Sequence, residues 1–321
     1  MSFPLTKLLF AAFVSVASIV IGLSFGSVDL SFGQMASALV GHESGLTADI
    51  VWQLRLPRVL SAFACGGLLA LAGALLQALL RNPLADPYIL GISGGSSVAA
   101  LAAMLLGFAA MTVNLAALGG ALAAIALVFA LGFGRGGNMV RLLLTGVVLS
   151  AGFGALISLL LTLAPGGEVR GMLFWLMGDL AQAQSPGLTL AVLLVTLVIA
   201  IWQSSSLDVL GLGELKAKSL GVAVRPLQLG IYFTASAAAA AVVVEAGAIG
   251  FVGLIVPHFV RLLGINSHRW LLPLAVLAGG SFLTLADTLA RTIIAPQQLP
   301  VGVITALLGV PLLLFLLRKK S

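Results

Sequence analysis

Val59-Leu60-Ser61-Ala62-Phe63-Ala64-Cys65-Gly66-Gly67-Leu68-Leu69-Ala70-Leu71-Ala72-Gly73-Ala74-Leu75-Leu76-Gln77-Ala78-Leu79-Leu80 contains no charged residue. A helix needs about 20 apolar residues to cross the hydrocarbon core of a bilayer, and this run is long enough. Comparable runs are Leu8–Phe25, residues 91–111, 113–133, 142–164, 188–202, 227–245, 271–294 and 299–317. A tenth, residues 251–263, is too short to cross simply and is expected as a short or tilted helix after a turn, packed inside the protein. The chain is therefore read as an all-α polytopic membrane protein of about ten helices, give or take one. The whole length, 1–321, is expected to form one transmembrane domain.

Composition agrees. The 321 residues are 60% hydrophobic and only 8% charged, too few charges to clothe a soluble fold of this size. Alternation at period two is absent, which argues against a transmembrane barrel. Leu8–Phe25 has a longer apolar core than a signal peptide and is read as a retained first helix. Cys65 is the single cysteine, so no disulfide can form within the chain.

Alternating the spans from a cytoplasmic N-terminus places 12 of the 16 Lys and Arg residues inside, in agreement with the positive-inside bias. Both termini are then cytoplasmic. The four left outside are Arg55, Arg58, Arg170 and Arg291. Arg55 and Arg58 stand in Trp52-Gln53-Leu54-Arg55-Leu56-Pro57-Arg58, directly before the opening run. Basic residues on that side call for a partner, and an arginine fork suits a carboxylate. Arg291 follows Asp287 by one helical turn, so an intrahelical pair competes with docking there. The net charge of +6 is mostly the inner collar and forms no continuous patch for nucleic acid.

Three stretches carry more than hydropathy. Arg81-Asn82-Pro83-Leu84-Ala85-Asp86-Pro87-Tyr88-Ile89-Leu90-Gly91 breaks a helix with two prolines, giving either a hinge or a tight connection. Gly213-Glu214-Leu215-Lys216-Ala217-Lys218-Ser219-Leu220-Gly221 is a charged helix bracketed by glycines. It lies in the longest polar inner stretch, about 203–225, and reads as a solvated loop or a docking element. Gly247-Ala248-Ile249-Gly250-Phe251-Val252-Gly253, followed by Pro257-His258, suggests a non-helical turn at membrane depth, Pro-His included. On the opposite side, about 168–180 suits an interfacial helix with an aromatic anchor. Small residues recur every four positions at Gly146, Ser150 and Gly154, as suits close helix packing in lipid. Ala72-Gly73-Ala74 to Pro83 and Ala246-Gly247-Ala248 to Pro257 share one spacing and raise the question of an internal repeat. Glu245 is an ionisable group at membrane depth, which marks it as a functional candidate.

No phosphate-binding loop, metal-ligand cluster or Ser-His-Asp set is present. The chain is read as non-catalytic, binding no metal and no cofactor of its own.

Taken together, Trp52 to Arg58, Asn82-Pro83-Leu84-Ala85-Asp86-Pro87, Gly213-Glu214 through Leu220-Gly221, Gly250 to His258, and Leu299-Pro300-Val301-Gly302-Val303 resemble the FecCD family of ABC importer permeases. The resemblance implies a type II importer fold in a bacterial inner membrane. It implies a homodimer of ten helices per chain, served by two ATPase subunits that carry ATP and Mg. A periplasmic or lipid-anchored binding protein would deliver a ferric siderophore, cobalamin or haem. Gly213, Glu214, Leu215, Lys216, Ala217, Lys218, Leu220 and Gly221 would couple to the ATPase. Asn82, Leu84, Asn138 and Met139 would form a cytoplasmic gate. Arg55, Arg58 and Arg291 would meet glutamates of the binding protein. The competing reading is an ion-coupled secondary transporter, for which Glu245 and Asp287 are the only candidate relay carboxylates. An intramembrane enzyme would lack paired catalytic residues.

Overall fold

In the computed structural model, residues 2–26, 28, 30–41, 45–133, 139–181, 183 and 186–318 are described. Among them are fifteen α-helices and no strand. In chain order these are α1 (Ser2–Ser24), α2 (Phe32–Val40), α3 (Leu46–Asp49), α4 (Leu56–Leu80), α5 (Ile92–Leu105), α6 (Ala110–Gly132), α7 (Met139–Leu163) and α8 (Gly166–Met177). There follow α9 (Pro186–Trp202), α10 (Ser204–Gly211), α11 (Glu214–Ser219), α12 (Val224–Ala246), α13 (Val252–Leu262), α14 (His268–Thr292) and α15 (Val301–Arg318).

The ten apolar runs fall on α1, α4, α5, α6, α7, α9, α12, α13, α14 and α15. Among the described residues, six helical stretches are long and apolar enough to cross a membrane unaided: Leu5–Ser24, Leu46–Leu80, α6, α7, α12 and α14. A seventh is the pair α9 and α10, bent by 57°. Helices α5 and α13 are shorter, and the backbone at their ends explains why.

Helix α4 is the axis of the molecule. It packs against α14, α12, α13, α9 and α1. Nearly every residue from Ser61 to Leu79 is buried. A helix apolar all round must be surrounded, and this one is. Glycine decides how closely its neighbours come. A Cβ at Gly66 would overlap the Gly279 carbonyl, and one at Gly73 would overlap the Gly253 carbonyl. In lipid, where water drives no helix association, such backbone contact supplies the packing energy.

Two broken helices meet beside Gly73. After α4 the chain turns at Arg81, in the left-handed region with φ 47°. It then rises through a 3₁₀ turn, Pro87–Leu90, capped by Asp86, whose Oδ1 accepts from the Tyr88 N–H at 2.8 Å. After α12 the chain runs without helix from Gly247 to Phe251, and α13 starts only at Val252. The Ile249 N–H donates to the Tyr88 hydroxyl at 3.3 Å. A Cβ at Gly253 would stand 2.9 Å from Cδ of Pro87. Helices α5 and α13 are short because each begins part-way through the bundle. Irregular backbone at that depth is tolerated only where protein covers it.

Here the short helix expected over 251–263 is formed, and the turn before it ends at Phe251. Pro257 and His258 are not part of the turn; they lie inside α13. Proline there cannot donate to the Gly253 carbonyl, one turn earlier. That carbonyl instead accepts from Nε2 of Gln77 at 3.3 Å, and the Leu254 carbonyl does so at 3.0 Å. The spacing shared by Gly73–Pro83 and Gly247–Pro257 marks no repeat. Gly73 is mid-helix, whereas Gly247 has φ 71° in a break, and Pro83 is in a loop while Pro257 is in a helix.

Candidate functional site

At one end of the bundle the three expected docking arginines come together. Before α4 the helix widens into a π-helical turn, Ile50–Arg55, in which the Leu56 N–H reaches back to Val51. Arg55 follows from it and turns toward the end of α1. Its Nη1 donates to the carbonyls of Leu23 at 2.7 Å and Ser24 at 2.9 Å, and its Nη2 to that of Val28. Arg291 Nη2 donates to the Gly22 carbonyl at 2.6 Å. The last carbonyls of a helix have no partner of their own and form the negative end of its dipole. Two guanidiniums supply both the hydrogen bonds and the opposite charge.

Asp287 of α14 is the shared counterion. Arg58 Nε donates to its two oxygens at 3.1 and 3.0 Å, and Arg58 Nη2 donates to Oδ1 at 2.8 Å. Arg291 Nε stands 3.4 Å from Oδ2, so the intrahelical pair is formed. Arg58 Nη1 donates to Gln298 at 2.7 Å. Asp179, in the loop after α8, is 4.0 Å from Arg58 Nη2. Burial pushes the Asp179 carboxyl above the usual carboxylate range, against the opposing pull of its own bond from the Ala181 N–H and of Arg58.

Arg55, Arg58 and Arg291 are only 4%, 9% and 3% exposed. Each of the three is bonded within its own chain. A charged group buried in a low-dielectric setting must find internal partners or remain uncharged, and these three have found them.

A cavity of about 1260 Å³ opens beside this cluster, walled by the end of α5, the first turns of α6, α8 and α9, and the last turns of α12. Glu245, Glu168, Asp179 and Arg170 all line it, among Met104, Phe108, Met111, Phe174 and Trp175. Glu245 accepts a 2.6 Å hydrogen bond from Ser61 of α4. Arg170 lies over the Phe174 ring, 5.7 Å from its centroid. All four basic residues that the charge count sets apart thus gather at one end.

The opposite end holds the other predicted set. Helix α11 is bracketed by Gly213 at φ 111° and Gly221 at φ 81°, backbone that only glycine adopts readily. Ala217 is buried, whereas Leu215 and Leu220 are exposed at 84% and 64% among the described residues. Glu214 accepts from Gln228 of α12 at 2.9 Å. A shallow recess joins Arg81 and Met139 to Gly213, Glu214, Leu215 and Lys216, so one gate residue adjoins the coupling set. Asn82 Oδ1 accepts from the Leu84 N–H at 2.9 Å, closing a tight turn that leaves Leu84 half-exposed. Asn138 lies outside the described residues. No cluster of three metal-ligating side chains occurs among the described residues.

Sequence reasoning missed Gln77, Ser61, Asp179 and Gln298. Gln77 also accepts from Arg261. A polar residue inside an uncharged span was the available signal for the first two.

A helical membrane protein with broken helices meeting in its interior and a large cavity at one end has the architecture of a transporter. The chain matches the FecCD transport family over residues 14–319. It belongs to that family. The hemin transport system permease protein HmuU of Yersinia pestis is 37% identical over 310 residues, covering 93% of this chain and 92% of its own. The vitamin B12 import system permease protein BtuC of Escherichia coli O127:H6 is 40% identical over 282 residues, covering 84% and 83%. A solved structure described as an inward-facing conformation of a metal-chelate type ABC transporter is 33% identical, with a TM-score of 0.86, covering 98% and 99%. The chain is accordingly a multi-pass membrane permease of the type II importer class.

Proposed function

We propose that this chain is the translocation subunit of an ATP-driven importer that carries a bulky metal chelate, a ferric siderophore, cobalamin or haem, into the cytoplasm. The observation that carries the reading is the division of labour between the two ends. One end is a clamped cluster of arginines beside a cavity. The other is a glycine-bracketed charged helix with exposed leucines, which suits a groove on an ATPase. The chain supplies no hydrolytic chemistry; ATP and Mg belong to that separate subunit. Coupling runs through Gly213 to Gly221, and the gate through Asn82, Leu84, Asn138 and Met139. Both termini are cytoplasmic in this arrangement.

A second copy completes the pathway. In α7 only Met139, Leu142 and Gly146 are buried, and Leu144, Val147, Val148 and Leu159 are exposed. Gly146 packs within the chain against Leu90, whereas a Cβ at Gly154 would meet nothing within 4 Å. Gly154, the last residue of the small-residue stripe, is open to another protomer.

Docking of a binding protein at Arg55, Arg58 and Arg291 then works by exchange. Glutamates of the incoming lobes replace Asp287, Gln298 or the α1 carbonyls as partners. Complementary charge of this kind governs orientation and encounter rate more than affinity. Glu245 contacts cargo in the cavity. The ion-coupled alternative fares worse, because its candidate relay carboxylate Asp287 is engaged by both Arg58 and Arg291.

The test is affinity capture of the tagged chain followed by transport in vesicles. An ATPase should co-purify, and uptake should need ATP. Uptake driven by an ion gradient alone, with no ATPase captured, would overturn the reading.

A further inference from the structure

Resting on the importer reading, we infer that the cavity beside the arginine cluster selects neutral or cationic metal chelates and disfavours anionic ones. The inference comes from the charges that line the cavity. Three carboxylates face it, Glu168, Asp179 and Glu245, against one guanidinium, Arg170. Arg58 stands 4.0 Å from Asp179 and directs its own donors to Asp287 and Gln298. Its side chain does not line the cavity.

The walls point the same way. Aromatic faces and thioethers accept a bulky periphery and favour positive charge over it. The cavity, about 1260 Å³, exceeds the roughly 300–1,000 Å³ of common small-molecule sites, so a whole chelate fits. An amide-rich or ammonium-bearing chelate finds acceptors in Glu245 and Asp179. A tris-catecholate or a dicarboxylate porphyrin would instead lose water beside like charge, which opposes binding. Glu245 is placed to dominate, since it sits at the end of α12 with Ser61 fixing one oxygen at 2.6 Å.

The test uses the full chain in nanodiscs. Quenching of Trp175 fluorescence, taken as wild type minus Trp175→Phe, reports occupancy of the cavity. The probes are a ferric trihydroxamate with a free ammonium, its N-acetylated neutral form, and a ferric tris-catecholate. The ammonium form should bind about tenfold or more tightly than the catecholate, a difference of one or more like-charge contacts. Glu245→Arg should reverse that order, and Glu245→Gln with Glu168→Gln should narrow it. The double glutamine variant also keeps the test open should the arginine variant fail to fold. Equal affinity for all probes, no quenching by any of them, or an order unchanged in the variants overturns charge selection. In each of those cases an ATPase that still co-purifies leaves the importer reading standing. Failure to capture an ATPase removes the importer reading, whatever the probes show.

Discussion

Asp287→Asn is the most informative single substitution in this protein. The side chain is 1% exposed and is the only carboxylate hydrogen-bonded to Arg58 among the described residues. Asparagine keeps the shape and one acceptor but removes the charge. Arg58 and Arg291 would then share a buried volume, with Asp179 4.0 Å from Arg58. Removing one partner of a buried ion pair costs about 3–5 kcal/mol, because the charge left behind has no compensation. At about 2–4 °C per kcal/mol for a chain of this order, thermal unfolding in nanodiscs should fall by roughly 10 °C. The loss should propagate to α1, whose terminal carbonyls are held by Arg291 and Arg55, so protease cleavage between α1 and α2 should quicken. Adding Arg58→Gln to Asp287→Asn removes the stranded charge and should recover part of the loss. The double-mutant cycle should therefore show coupling of about 2 kcal/mol or more. A cost below about 1 kcal/mol, or simple additivity, would refute the argument that Asp287 is the counterion holding this end together.

Gly73→Ala should prevent α4 and α13 from approaching and destabilise the protein by about 1–3 kcal/mol or more, whereas Gly152→Ala, facing open space, should be near neutral by the same thermal assay. Tyr232→Phe removes a buried 3.0 Å hydrogen bond to the Ile125 carbonyl and should cost about 1–3 kcal/mol, read as a shift in denaturation midpoint. Glu214→Ala breaks the tie to Gln228, and Gly221→Pro forces φ from 81° to about −65°; both should leave the chain inserted but uncouple ATP hydrolysis from uptake in vesicles. Arg55→Glu with Arg58→Glu should lower yield of folded protein before any docking defect is measurable, which a size-exclusion profile will show.

The spans, the breaks and the family were legible in the chain because they depend on local chemistry. Runs such as Val59–Leu80 declare themselves by length, and Asn82-Pro83 and Gly247 by what proline and glycine do to a backbone. Proline alone misled at Pro257: its lost hydrogen bond is made good from another helix, and no local rule sees Gln77 arrive. The three arginines stood out as basic residues that break a charge bias, and the structure brings them to one end of the bundle. What the sequence did not disclose was their burial.

Sequence by itself thus determined that this is a helical membrane permease, which residues interrupt its helices, and which arginines, acids and glycines stand out. Only the tertiary structure decided what those residues touch. Asp287 lies 229 positions from Arg58, and Glu245 lies 184 from Ser61. In a bundle of nearly uniform apolar helices, hydropathy sets depth but not neighbours. Helix order around α4 comes from glycine contacts and a few buried polar bonds, and these form only once the whole chain has packed.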